Sequence, residues 1–152
     1  MNNHTMTQDA LTALMAQALM RHKVSHSNAQ SVATALAQAQ CDGQAGHGVS
    51  RIKSYCLQAQ SGKVNGMATP AVVAQTHAAV RIDAAHGFAF PALDLAIDEV
   101  IKRAQHEGIG CAAIARSHHF GVAGWHVERL AMQGMVGVIV GNSPAAIAPH
   151  GG

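Results

Sequence analysis

A chain of 152 residues, 49% of them apolar and with a formal net charge of +2, is long enough for one domain with a real core and too apolar for a disordered segment. Its Lys and Arg are scattered, and one Trp, one Tyr and three Phe supply few stacking surfaces, so no nucleic-acid partner is expected. No apolar run approaches the ~18–20 residues that cross a bilayer, and the start "MNNHTMTQDALTALM" lacks signal-peptide form, so no membrane partner and a cytoplasmic location are expected.

The first sixty residues carry helical periodicity. Leu11, Leu14, Met15, Ala18 and Leu19 fall on one stripe, with Thr7 placed as the N-cap. Ser27 followed by Gln30 has capping-box form, and Val32, Ala33 and Leu36 continue a second helix toward Asp42 and Gly43. Val49, Ile52, Cys56 and Leu57 predict a third, which ends before Gly62.

Then the period changes. Residues 71–75 and 79–83 are β-prone runs with a weak turn between them. Pro91 suits the first turn of a helix whose inward stripe is Leu93, Ile97, Ile101 and Ala104, stopping at Gly108. "IGCAAIA" and "MVGVIVG" read as buried strands, "GVAGWHVERLAMQ" between them as a helix, and "NSPAAIAPHGG" as a terminal loop. The pattern is α+β with α/β-like elements. Cys41, Cys56 and Cys111 are odd in number and far apart, so buried free thiols are expected rather than disulfides or a thiolate zinc site.

Eleven histidines are the unusual feature, and three segments give some of them company. "SHHFGVAG" lies where a strand gives way to a helix, so free amides and the positive end of the helix dipole favour an anion there. Gly121 and Gly124 allow close approach, and an imidazole at that rim titrates near neutral pH. The pattern is not G-x-G-x-x-G, and a structural turn with a capping histidine explains it equally well. His119 and His126 are two turns apart and His118 and His119 are expected to point in different directions, so no metal site is read here.

In "DGQAGHGVSR", Gly46 and Gly48 leave the His47 ring uncrowded, and Arg51 lies one helical turn on. A guanidinium that grips a carboxylate beside an imidazole that handles a proton would suit a 2-oxo or 2-hydroxy acid. An ordinary loop histidine and helix-start arginine remain the alternative. In "DAAHGFAFPALDLAI", His86 and Gly87 precede a helix, and Phe88 and Phe90 are expected to pack on the core.

Taken together, "HGVSRIKSYCLQAQSGKVNG", "DAAHGFAFPALDLAI", "SHHFGVAGWHVERLAMQGMVGVIVGNSP" and "IAPHGG" resemble the malate/L-lactate dehydrogenase family, the non-Rossmann type that includes ureidoglycolate and sulfolactate dehydrogenases and piperideine-2-carboxylate reductases. The resemblance implies an N-terminal helical segment, 1–65, that carries His47 and Arg51. It implies that 66–152 is the first portion of a non-Rossmann domain binding NAD or NADP. His47 matches the family's catalytic histidine and Arg51 its carboxylate-binding arginine. His119, Phe120, Gly121, Val122 and Ala123 match the cofactor-lining segment, and the histidine matching His119 is the proton acceptor in some members. His118 and His126 match no role and read as polar bystanders.

The implied activity is hydride transfer between the nicotinamide and a small 2-hydroxy acid such as malate, lactate or sulfolactate. Reduction of 2-oxo acids or cyclic imines is the alternative, as is a non-catalytic remnant that only binds dinucleotide or a partner chain. Many members carry Ser where this chain has Gly46, so a proton relay here needs another donor. Members are also longer, so the resemblance implies a chain cut short at its C-terminus and a homodimer when full length.

Overall fold

A computed structural model describes residues 5–142. Helices α1 (Gln8–Met20), α2 (His26–Cys41) and α3 (Ile52–Gln60) form the first half, with single 3₁₀ turns at Ala45–His47 and Val49–Arg51 leading into α3. Thr7 caps α1 as predicted, its hydroxyl oxygen accepting from the Ala10 amide at 3.2 Å. The cap of α2 is Ser25 and not Ser27: the Ser25 hydroxyl accepts from the Asn28 amide at 3.3 Å, and Ser27 already lies in the first turn. Ser25 has the extended backbone that a cap requires, which starts the helix two residues before the expected point.

Alanines at 29, 33 and 37 are fully buried on α2, so neighbouring elements approach its axis closely. Leu19, Val32, Leu36 and Tyr55 fill the space left between them, joined by Phe88 and Phe90 from beyond residue 65. The two phenylalanines therefore pack on the helical core, as expected, and tie the second half of the chain to the first.

The second half is a β-hairpin followed by a crossover. Strands β1 (Ala71–Gln75) and β2 (Ala79–Asp83) coincide with the two predicted runs and pair antiparallel, with an irregularity between Val72 and Ala74. Helix α4 (Ala89–Glu107) stops at Gly108, whose φ of 77° lies in the left-handed region. It carries the chain to β3 (Cys111–Ala115), parallel to β2, giving the sheet order β1-β2-β3. Ala92 and Ala96 of α4 close over Val80, Ile82 and Ala84 in a second small core. Helix α5 (Ala123–Ala131) follows. The α+β expectation holds.

Three expectations fail here. The strand of "IGCAAIA" is real but not buried: β3 is an edge among the described residues, and its side chains alternate between exposed and half-buried. The stretch 135–141 forms no strand. Val136, Val138 and Val140 are 98%, 84% and 87% exposed, because an extended run becomes a strand only when a neighbour pairs with it. Its other face still packs, for a Cβ on Gly137 would meet Leu130 at 2.9 Å and Val127 at 3.2 Å. Of the three free thiols only Cys56 is buried, where burial raises its pKa; Cys41 ends α2 and Cys111 opens β3, both exposed. The loop predicted for the tail lies, from residue 143 on, outside the described residues.

Candidate active site

Two loops meet at α3. The first is the pair of 3₁₀ turns that carries His47 and Arg51. Gly48, between them, is buried against the end of α2: a Cβ there would fall 2.5 Å from Gln40 Oε1 and 3.0 Å from the Gln40 backbone. The same Oε1 accepts from the Val49 amide at 3.2 Å, so Gln40 anchors the loop from below. Arg51 turns back to donate from Nε to the Gly46 carbonyl at 2.6 Å. That bond leaves the two terminal guanidinium nitrogens as the fork for an anion. Both His47 and Arg51 are half-buried.

The second loop follows β3 and is stitched to the end of β2. The Ala84 amide donates to Ala115 O at 3.0 Å, His86 N to Arg116 O at 2.8 Å and His118 N to Gly87 O at 3.1 Å. Ala85, His86 and Arg116 all adopt positive φ, 51°, 59° and 53°, which is uncommon for residues with a side chain. Asp83 grips this corner, accepting from the Ala85 amide at 2.8 Å and from both Nε and Nη2 of Arg116. The Arg116 guanidinium holds the Asp83 carboxyl below its ordinary range. Strain of this kind persists only where the surroundings over-determine it.

Between the loops stands Tyr55, 1% exposed. Its hydroxyl lies 2.9 Å from His119 Nε2, and its ring packs on Phe88 and on both histidines, 5.4 Å between centroids in each case. Burial raises the Tyr55 pKa, so it stays a phenol. His119 keeps an exposed side, yet its pKa is lowered, first by the burial of its packed face, then by the nearby Arg51 and His47. The Arg51 and His47 charges thus act on the His119 ring.

His118 and His119 do not diverge as expected. Both rings turn toward Tyr55 and lie 4.4 Å apart, because the His118 amide tied to Gly87 directs that side chain inward as well. His118 and His126, expected as polar bystanders, are each held by a hydrogen bond. His118 Nε2 is 2.9 Å from Gln58 Oε1. His126 is 3% exposed, and its Nε2 donates to the Phe120 carbonyl at 3.0 Å.

That bond holds the stretch 119–123. Gly121 has φ of 70°, and a Cβ on it would meet the Phe90 ring at 3.3 Å. The α5 N-terminus beside it carries no side-chain cap, so its first amides are left for another acceptor. No three His, Cys, Asp or Glu side chains gather as a metal site among the described residues.

Two clefts flank these residues. One of about 560 Å³ lies between α2, α4 and α5, lined by Ser31, Thr34, Asp94, Trp125, His126 and Arg129 among others. The other, about 650 Å³ and open, runs along α3 past Lys53, Ser54, Gln58 and Lys63. Neither is lined by His47, Arg51 or His119.

Sequence reasoning missed Tyr55. It lies four residues after Arg51 and eight after His47, so one helical face carries the arginine and the hydroxyl; a lone tyrosine in an aromatic-poor chain was the available signal.

A model of the family described as malate/L-lactate dehydrogenase matches residues 6–152. A (2R)-3-sulfolactate dehydrogenase (NADP(+)) from Chromohalobacter salexigens is 47% identical over 124 residues, 82% of this chain and 37% of that protein. A Delta(1)-pyrroline-2-carboxylate/Delta(1)-piperideine-2-carboxylate reductase from Pseudomonas putida is 40% identical over 141 residues, 93% of this chain and 41% of its own length. Among solved structures, malate dehydrogenase from Pyrococcus horikoshii OT3 superposes with a TM-score of 0.81 at 29% identity, covering 87% of this chain and 38% of that one. The sequence thus spans about two-fifths of the length of the relatives it matches.

Proposed function

The chain belongs to the malate/L-lactate dehydrogenase family, and from that premise we propose that the protein is a nicotinamide-dependent oxidoreductase acting on a small 2-hydroxy acid such as malate, lactate or sulfolactate. The observation that carries this reading is the Tyr55–His119 pair within electrostatic reach of Arg51 and His47. An imidazole and a guanidinium in reach of each other suit a proton transfer beside a carboxylate.

The residues present fit NAD or NADP. The uncapped start of α5 offers peptide amides to an anionic oxygen, and glycine at 121 lets the turn before it close against the Phe90 ring. His119, Phe120, Gly121, Val122 and Ala123 would line that group, which when bound supplies the hydride acceptor or donor.

The chain's own residues hold the substrate and move its proton. Arg51 takes the carboxylate with its two terminal nitrogens, its Nε being occupied by Gly46 O. In the His119 tautomer that carries Nε2–H toward the Tyr55 oxygen, Nδ1 is left to receive the substrate hydroxyl proton. The Tyr55 oxygen accepts from Nε2–H in the neutral and protonated imidazole alike, so the pair persists through the transfer. His47 is the second proton-handling group, in the 3₁₀ turn before Arg51. Gly46 supplies no hydroxyl, and the hydroxyl beside His119 is that of Tyr55.

The division into 1–65 and 66–152, a homodimer and a cytoplasmic location belong to the same reading, the first two by family likeness. No helix among the described residues is long and apolar enough to cross a membrane. A second reading, reduction of a cyclic imine with a ring carboxylate, is favoured by the Pseudomonas putida relative and uses the same groups with the proton delivered to nitrogen. Following nicotinamide absorbance with malate, lactate, sulfolactate and ureidoglycolate, and in reverse with piperideine-2-carboxylate, pyruvate and oxaloacetate, separates the two. Dinucleotide-dependent turnover with a 2-hydroxy acid is expected; turnover of the imine alone selects the second reading, and none with any of these overturns both.

A further inference from the structure

His118 was left without a role by its sequence, and its surroundings supply one. Its ring meets Tyr55 and Phe88 edge-on, both at 86°, with centroids 5.4 Å and 6.0 Å away. Gln58 fixes its tautomer. The Gln58 amide nitrogen donates to Ser54 Oγ at 2.8 Å, which turns Oε1 toward His118 Nε2 at 2.9 Å. An amide oxygen only accepts, so Nε2 carries the proton and Nδ1 is bare. Nδ1 is buried with no partner among the described residues. A second proton there would be an unpaired charge in an aromatic nest. Burial accordingly pushes His118 down to about 4, with smaller contributions from His119 and Lys63.

Its neighbour differs on each count. His119 has an exposed side and a hydroxyl partner that serves both of its charge states. The charged and titratable groups around the two rings are Tyr55 and Arg51 from α3 and the turn before it, His47 from the preceding loop, and Lys63 from the loop after α3. None of them is an acid that would draw a proton onto His118.

We propose that His118 is a positioning residue: clamped by Gln58 as the neutral Nε2–H tautomer, it braces the Tyr55 ring against His119 and leaves His119 the one imidazole of the pair that exchanges protons. A cation at 118 would sit 4.4 Å from the His119 ring and oppose its protonation. The neutral clamp therefore preserves the proton affinity that His119 needs for acid–base work. The inference deepens the redox reading and rests on it for the reaction alone, not for the geometry.

The test is nitrogen-15 NMR of the histidine rings in the full chain, titrated from pH 8 to 4.5. His118 should show Nε2–H and a bare Nδ1 throughout, and His119 should take up its proton at higher pH than His118 does. Gln58→Glu places a carboxylate on Nε2, so His118 should then titrate near neutrality, and the His119 midpoint and the acid limb of the turnover profile should each move downward. Both should move by less than an isolated cation would move them, because the carboxylate offsets part of the repulsion. Gln58→Leu, which removes the clamp without adding charge, should leave His118 neutral and free to populate Nδ1–H. Titration of His118 near pH 6.5 in the unaltered protein, or a His119 midpoint unmoved by a charged His118 in Gln58→Glu, overturns the proposal. Absence of turnover with every substrate would instead count against the redox reading and leave the ring titrations to be judged by themselves.

Discussion

The Tyr55 hydroxyl lies 2.9 Å from Nε2 of His119, a hydrogen bond that spans 64 residues and joins α3 to the loop after β3. One atom pair thus couples the helical half to the βαβ half at the candidate site. Tyr55→Phe keeps the packing on Phe88 and removes only this bond. Thermal unfolding should show a loss of about 0.5–1.5 kcal/mol, the usual net worth of one hydrogen bond. Turnover should fall roughly 10–100-fold, at or below the low end of the ~10²–10⁴-fold that a group moving the proton itself contributes, because Tyr55 acts through His119. Equal turnover in the variant would remove Tyr55 from the mechanism.

Arg51 is committed at Nε to the Gly46 carbonyl and offers a planar fork beyond it. Arg51→Lys keeps a positive charge but loses both the fork and the loop bond. If Arg51 grips the substrate carboxylate, kcat/KM should drop about 100-fold, mostly through a higher KM. Steady-state kinetics with a 2-hydroxy acid and with its decarboxylated alcohol distinguishes this from general damage. The alcohol should be equally poor with both proteins.

His118 and His126 are held neutral by burial, which makes the fold acid-sensitive in a defined window. An unfolded histidine takes up its proton near pH 6.5, whereas the folded ones resist it until lower pH, and His118 resists until about 4. Between those limits the unfolded state binds more protons, so stability is full above about 6.5 and declines as pH falls through the window. For His118, a ring that solvent partly reaches, the loss is roughly 1–2 kcal/mol after screening. Urea midpoints at pH 7.5, 6.0 and 4.5 should descend in order, and His118→Phe should flatten the descent. A midpoint independent of pH over this range would mean that the rings are not kept neutral.

Much of this was legible beforehand because the signals are local. Thr7, Pro91 and Gly108 fix helix ends through their own backbone and side-chain chemistry, and the two β-prone runs are set by alternation and a turn. His47, Arg51 and His119 stood out by composition and company. What was not legible depends on contacts across the chain. Whether "MVGVIVG" becomes a strand is decided by a neighbour, and Val136, Val138 and Val140 are exposed with none among the described residues. That His118 faces inward follows from a bond to Gly87, thirty-odd residues away, and the place of Tyr55 from a partner still more distant. Ser25 displaced Ser27 because a cap is chosen by backbone geometry at one residue, which side-chain type alone does not reveal.

Gly121 connects the site to the core in a way that a single methyl group can probe. Its φ of 70° costs a residue with a side chain about 1–2 kcal/mol, and a Cβ would stand 3.3 Å from two atoms of the Phe90 ring. Phe90 is 3% exposed and touches the His126 ring, 6.2 Å between centroids, so it has little room to yield. The strain in Gly121→Ala should therefore be relieved by displacing the 119–123 backbone, at whose Phe120 carbonyl the His126 bond would weaken. Stability should drop by about 1–3 kcal/mol. Fluorescence titration with NADH and NADPH should show weaker binding than in Gly124→Ala, where no atom crowds the new methyl and the backbone is free to stay in place. Dinucleotide affinity equal in the two variants would separate Gly121 from the cofactor and leave it a purely structural turn.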